Sequence, residues 1–207
     1  MQPLFLLTMM NFGLANPLDT HLKEIETKYR DVQGISARFV QETSNELIPK
    51  PVVQEGVLNI SRPSVLHWKV ERPMEQHFYA DTESITVWTP STNQAIITVN
   101  QQTDDISALL TDIGGLRDKY LIQLVEMPEV SDTVQFSLAP KEKTSGMEGE
   151  LKLWFSTVDY TLKEILVDSP NAQTKLTFKA LTLNPTFDET EFVFTAPEGA
   201  DVQDTRQ

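Results

Sequence analysis

Two hydrophobic periods alternate along the chain. Behind Asn16 and Pro17, which suit an N-cap and a first helical position, Leu18, Leu22, Ile25 and Tyr29 recur at i, i+4, i+7 and i+11, the stripe of an amphipathic helix. From Ile35 the period drops to two. Ile35, Ala37 and Phe39; Leu58 and Ile60; Leu66, Trp68 and Val70; Ile85 and Val87; and Ala95, Ile97 and Val99 alternate with other residues, and Gly, Pro, Asn and Asp clusters separate the runs as antiparallel hairpins require. The helical period returns at residues 104–115, DDISALLTDIGG. There Asp104 or Asp105 can cap a short helix whose Ile106, Leu109, Leu110 and Ile113 share a face, and Gly114-Gly115 ends it. Alternation then resumes with Val134, Phe136 and Leu138; Leu151, Leu153 and Phe155; Ile165 and Val167; Leu176 and Phe178; and Phe192 and Phe194.

About eleven or twelve strands in succession, with few helices, fit a curled antiparallel sheet or barrel better than an alternating α/β sheet. A strongly curved sheet has a concave apolar face, and the two amphipathic stripes are suited to plug its mouth. The same inward Leu, Ile, Val and Phe residues serve a solid core or a cavity, and ordinary packing favours a filled one.

The hairpin at residues 60–73, ISRPSVLHWKVERP, poses a question of its own. Arg62 and Arg72 keep the parity of the apolar sets Leu58/Ile60 and Leu66/Trp68/Val70, so each points to the greasy side at a strand end just before a proline. Periodicity alone reads both as rim or surface residues.

Composition narrows the function classes. The 207 residues suit a single domain, and 17 basic against 30 acidic side chains, a net charge of −13, argue against nucleic acid and anionic membrane surfaces as partners. The opening MQPLFLLTMMNFGLAN has an apolar run ending in Gly13-Leu14-Ala15, a small-x-small cleavage pattern too short for a stable membrane anchor. Residues 1–15 are therefore expected to be a secretory signal, with the mature domain spanning 16–207. There is no cysteine, hence neither a disulfide nor a lipid-attachment site at the cleavage point. No nucleophile elbow, phosphate-cradling glycine loop or metal-ligand spacing is present. His21, His67 and His77 read as solvated surface histidines, and Trp68, Trp88 and Trp154 as core or wall residues. An enzyme is not expected.

The run VQEGVLNISRPSVLHWKVERP at residues 53–73 resembles the LolA family, carriers of outer-membrane lipoproteins, whose members have a Gly-x-Leu strand, an Arg-Pro pair and a strand with Trp in this order. The resemblance extends to ISARFVQ at 35–41, FSLAPK at 136–141 and FVFTAPEGADVQDTR at 192–206. It implies a mainly β fold, an incomplete, half-open antiparallel barrel of about eleven strands under a lid of short helices. It also implies that Arg62 is a latch bonding lid carbonyls in the empty form, a role that suits a guanidinium with five donors and a permanent charge. Acyl chains of lipoproteins would then lie against Leu58, Ile60, Leu66 and Trp68 and the lid residues Ile106, Leu109 and Leu110. The partners implied are an inner-membrane lipoprotein-releasing ABC transporter and an outer-membrane lipoprotein receptor, met by a monomeric periplasmic protein without cofactor. The chain departs from the family pattern in having Asp81-Thr82-Glu83-Ser84 where an Asp-Gly turn is usual, and Leu66 where phenylalanine is frequent. The alternative is a regulatory or generic lipid-binding protein of the same fold; the stress sensors that reuse the domain carry a second one, for which this length leaves little room.

Overall fold

The structure, a computed structural model, describes residues 16–47, 49–100, 105–125, 132–141 and 150–206; the expected signal at 1–15 and the candidate cap Asp104 lie outside them. Three α-helices are α1 (Pro17–Tyr29), α2 (Asp105–Thr111) and α3 (Leu116–Lys119). Twelve strands are β1 (Gly34–Ser44), β2 (Val52–Ser61), β3 (Val65–Arg72), β4 (Gln76–Ala80), β5 (Ser84–Thr89), β6 (Gln94–Val99), β7 (Tyr120–Val125), β8 (Thr133–Pro140), β9 (Glu150–Ser156), β10 (Leu162–Ser169), β11 (Ala172–Leu183) and β12 (Asp201–Asp204). They form one sheet in the order β12-β6-β5-β4-β3-β2-β1-β11-β10-β9-β8-β7, whose two edges do not meet. This is the half-open barrel expected. All pairings are antiparallel except that of β12, which lies parallel to β6.

The topology explains the lid. Strands β1 to β6 meander outward to one edge and β7 to β11 meander back from the other, so the chain between β6 and β7 has to pass from edge to edge. It does so through α2, a 3-10 turn at Ile113–Gly115 and α3. Gly114-Gly115 therefore do not end the helical segment, as their composition suggested; they form a tight turn inside it.

Helix α1 has the bounds its stripe predicts. Asn16 Oδ1 accepts from the Leu18 amide at 3.2 Å, Pro17 occupies the first turn, and Leu22, Ile25 and Tyr29 are buried. The inward set of the sheet is likewise regular. Register places Ala37, Leu58, Trp68, Phe78, Val87 and Ile96 in one row across β1 to β6. Burial declines along it, from Leu58 at 0% exposure through half-buried Trp68, Phe78 and Val87 to Ile96 at 44%.

The period of two left the face of β6 open, and one sequence expectation needs correction. Ala95, Ile97 and Val99 do not share a face with Ile85 and Val87, because Ala95 pairs with Trp88 and Ile96 with Val87. Ala95 and Trp88 face outward, where both are buried. Phe192 and Phe194 are not a strand: a 3-10 turn at Glu189–Phe192, capped by Asp188 Oδ1 on the Thr190 amide, lifts this segment over the outer face. There the Phe194 ring lies 5.8 Å from that of Tyr79 and 5.6 Å from that of Trp88. The altered β4–β5 turn is a compact hairpin in which Asp81 Oδ1 accepts from the Glu83 and Ser84 amides, both at 2.8 Å.

Gly56 has a steric reason. It sits at an irregularity in the β2–β3 register, where a Cβ would lie 1.9 Å from the Lys69 carbonyl oxygen, a backbone atom that has no room to retreat. Gly56→Ala should therefore lower stability by about 3 kcal/mol, read as a lower urea midpoint with an unchanged slope.

Candidate functional site

The concave face of the sheet is filled by the helices that cross it. Leu22, Ile25 and Tyr29 from α1, Leu109 and Leu110 from α2, Ile113, and Leu116 from α3 are buried in one cluster with Ile35, Phe39, Leu58, Ile60 and Leu66 of the sheet. The seven apolar residues proposed from sequence all belong to this assembly. Leu58, Ile60, Leu66, Leu109 and Leu110 are buried in it, while Trp68 and Ile106 pack against it half-buried. Trp68 packs at a tilt against Phe39, with ring centroids 4.8 Å apart. Strand residues make up most of this cluster, and helices that are not part of the sheet supply the rest of the filling against its concave face.

Arg62 stands at the rim where α1 ends. Its Nη1 donates to the Tyr29 carbonyl at 3.1 Å, and its own amide donates to Gln33 O at 2.8 Å. Tyr29 is the last residue of α1, and its carbonyl also accepts from the Val32 amide at 3.4 Å, so the bond adds a cationic donor at the negative end of the helix. Arg62 Nε and Nη2 are buried and, among the described residues, have no hydrogen-bond partner. Burial pushes the guanidinium below its usual range, and the charge of Asp112 opposes that. Around this junction lies a cavity of about 480 Å³, lined by Tyr29, Arg30, Arg62, Asp112, Gly114 and Arg117 among others. Arg72, by contrast, is exposed and pairs with Glu55.

Tyr29 is the residue that sequence reasoning undervalued. Its ring packs edge-on against Phe155 at 6.3 Å, and its hydroxyl accepts from the Leu162 amide at 2.9 Å where the β9–β10 register shifts. One side chain thus fixes β10 while the same residue's carbonyl engages Arg62 on β2. The apolar stripe placed Tyr29 inward but could not show that a strand irregularity would offer its hydroxyl a free donor. Arg117 was also missed: it donates to Asp19 Oδ1 at 2.8 Å and meets Glu26 Oε1 at 2.6 Å, tying α3 to α1. Lys119 meets Asp112 at 2.9 Å.

The histidines are not the solvated set their positions suggested. His67 is only 8% exposed, His77 is half-buried beside it, and His21 Nδ1 lies 3.0 Å from the Tyr160 hydroxyl. Strand parity did put His67 outward. The segment that covers it lies more than a hundred residues further on, which no local pattern reveals.

Comparisons with known proteins bear on this arrangement. The family model "Outer membrane lipoprotein carrier protein LolA" matches residues 30–195. The outer-membrane lipoprotein carrier protein of Hahella chejuensis (strain KCTC 2396) is 32% identical over 200 residues, covering 94% of this chain and 90% of that protein. The protein of the same name from Pseudomonas entomophila (strain L48) is 30% identical over 173 residues, 82% of this chain and 81% of the relative. Among solved structures, an uncharacterized conserved protein from Thermus thermophilus shares the fold with a TM-score of 0.55 at 10% identity, over 91% of this chain and 99% of that one. By its sequence this chain belongs to the LolA family.

Tyr29 provides a test of the junction. Burial, more than the nearby Asp159 charge and against the Leu162 bond, pushes its hydroxyl up from 10.0 to about 12. A raised value means that its contribution is intact below pH 10 and is lost as pH climbs from 10 to 12, because the unfolded chain ionises first. The loss is about 2–3 kcal/mol at 1.36 kcal/mol per unit. Between these pH values wild type should lose that much more stability than Tyr29→Phe, measured by urea unfolding.

Proposed function

We propose that this chain is a periplasmic, monomeric carrier that accepts acylated lipoproteins from an inner-membrane ABC transporter and delivers them to an outer-membrane lipoprotein receptor. The observation that carries this reading is that Leu109, Leu110 and Ile113 of the lid, each at most 2% exposed, lie in the same apolar cluster as Leu58, Ile60 and Leu66 of the sheet. A sixteen-carbon acyl chain exposes on the order of 12 kcal/mol of apolar surface, at about 0.8 kcal/mol per methylene. It enters by taking the place of the lid side chains, so the inner face exchanges one apolar cover for another. The row from Trp68 through Phe78 and Val87 to Ile96 leads out from under the lid and offers the chain a first apolar footing.

Arg62 sets the balance between the two covers. In the empty form it bonds the end of α1 at Tyr29. Cargo that displaces the helices breaks this bond, and the carrier regains it on release. A charge-assisted bond of about 1.5–3 kcal/mol biases the equilibrium toward the empty form by roughly ten- to a hundredfold. Such a bias lets a receptor with modestly higher affinity strip the cargo.

Two variants test this. Leu109→Asp puts a charge where the lid is buried and should abolish loading from the transporter, with the sheet's far-ultraviolet circular dichroism retained; wild-type loading would overturn the lid assignment. Arg62→Leu should still load but fail to deliver. Purified variant loaded with radiolabelled lipoprotein should retain it when outer membranes bearing the receptor are added, and transfer at the wild-type rate would make Arg62 an ordinary rim arginine.

A further inference from the structure

The outer face of β2 to β5 carries a chain of polar groups, running from half-buried Glu191 through buried His67 and half-buried His77 to exposed Glu75, that lipid carriage does not use. His67 Nδ1 lies 2.9 Å from Glu191 Oε1, His67 Nε2 lies 3.0 Å from His77 Nδ1, and His77 Nε2 lies 2.9 Å from Glu75 Oε1. Asn59 Nδ2 donates to the same Glu191 oxygen at 2.6 Å, and Asn59 Oδ1 accepts from Ser36 Oγ at 2.7 Å. The His67 ring lies nearly parallel to those of His77 and Tyr79, 5.2 and 4.3 Å away, and these two are 6.0 Å apart. Glu191 belongs to the C-terminal segment that crosses this face. The segment is otherwise held by Phe194 on Tyr79 and Trp88, by Asn93 Nδ2 donating to Gly199 O at 2.8 Å, and by β12 on β6.

Proton counting fixes the state of the chain. A carboxylate only accepts, so each of the three contacts made by the ring nitrogens needs one proton, and two neutral imidazoles supply two. The complete chain from Glu191 to Glu75 therefore holds one proton more than a neutral pair, wherever along it that proton sits.

We propose that His67 and His77 form a proton-binding clasp for the C-terminal segment: docking closes a Glu191–His67–His77–Glu75 chain that holds one extra proton, so docking is strongest near the pH at which two free histidines share one.

Burial places that charge. It pushes His67 below the usual histidine range, against the Glu191 bond, so His67 is the neutral ring that donates through Nδ1 to Glu191 and accepts at Nε2. His77 then donates at both nitrogens, and its bond holds Glu75 below the usual carboxylate range. The charged and titratable groups around the pair are Glu191 above it, Lys69 at 3.3 Å from Glu75, Tyr79 with its hydroxyl 3.3 Å from His77 Nδ1, and the Arg38–Glu71 pair further along the face. Asn59 and Thr86 contribute no charge.

Linkage sets the pH dependence. An imidazole free in water gains its proton near a pH of about 6.5. Below that pH the undocked form binds up to two protons against one, so docking weakens as pH falls. Above it the undocked form binds none against one, so docking weakens as pH rises. Docking should fall by about threefold one pH unit from the maximum and about twenty-five-fold two units away. Release would bare the outer face at Trp88 and Ala95 and the edge of β6.

The test is amide hydrogen exchange of the full-length protein from pH 5 to 8.5, corrected for intrinsic rates. The reporters are Asp201 and Thr205, whose amides bond Asn93 O and Ile97 O. Their protection should peak near pH 6.5 and fall on both sides. In His77→Gln the acid limb should persist, because His67 still resists charge, while the alkaline limb disappears. NMR titration of wild type should find one neutral and one charged ring across pH 5.5–7.5. Protection that is flat with pH, or two rings that both titrate fully in that interval, would overturn the proposal.

Discussion

An open, curved sheet of this size has a concave apolar face that its own side chains do not fill, and everything else in the molecule answers to that constraint. Elements that are not part of the sheet have to cover the face. The strand order supplies them: β7 is one edge and β6 lies beside the edge strand β12 at the other, so their connection crosses the mouth, and its Leu109, Leu110 and Ile113 become part of the filling. Burying three such side chains is worth about 5–9 kcal/mol at roughly 1.5–3 kcal/mol each. That is the same order as one sixteen-carbon chain. In the proposed carrier, two apolar covers of comparable worth compete for one face, and small polar terms then decide between them.

Those polar terms are gathered at the rim, where the helices end. Tyr29 concentrates them: its hydroxyl holds the irregular turn of β10, its ring packs on Phe155, and its carbonyl receives Arg62. Arg117 binds α3 to α1 through Asp19 and Glu26, contacts that are exposed enough to be worth no more than about 1 kcal/mol each. The helices are therefore joined more firmly by apolar filling than by charge. A ligand that replaces the filling needs to break only a few weak polar contacts.

Much of this was legible in the sequence, and the parts that were not share a cause. Alternation located most strands because one face of each is buried, and the i, i+4, i+7 spacing gave α1 its observed bounds. Family resemblance singled out Arg62 where parity alone left it a rim residue. The errors fall where a second layer covers the outer face. Ala95 belongs to an apolar run whose face the period of two left open, and it is buried outward; His67 reads as solvated, yet it is buried on the same side. The period of two records that a face is covered, and it does not say which cover lies on which side. The partner of His67 is 124 residues away, so only the assembled fold brings it into view.

That outer layer also bears on the inner face. The strands that carry Trp68 and Phe78 inward carry His67, His77 and Tyr79 outward, and the row they form is the part of the inner face left least covered. An apolar row that must stay in register while partly exposed needs support from its other side, since a half-bare sheet edge invites slippage and pairing with other chains. The C-terminal segment gives that support over β2 to β5. It ends in β12, a short, exposed strand with Asp201 and Asp204 that caps the β6 edge with acidic groups. On the other side of β1, outward Ala139, Lys152 and Glu164 are at least partly exposed, and α1 holds the strands from within. The C-terminal segment thus braces from without the part of the sheet whose inner apolar row is left most open.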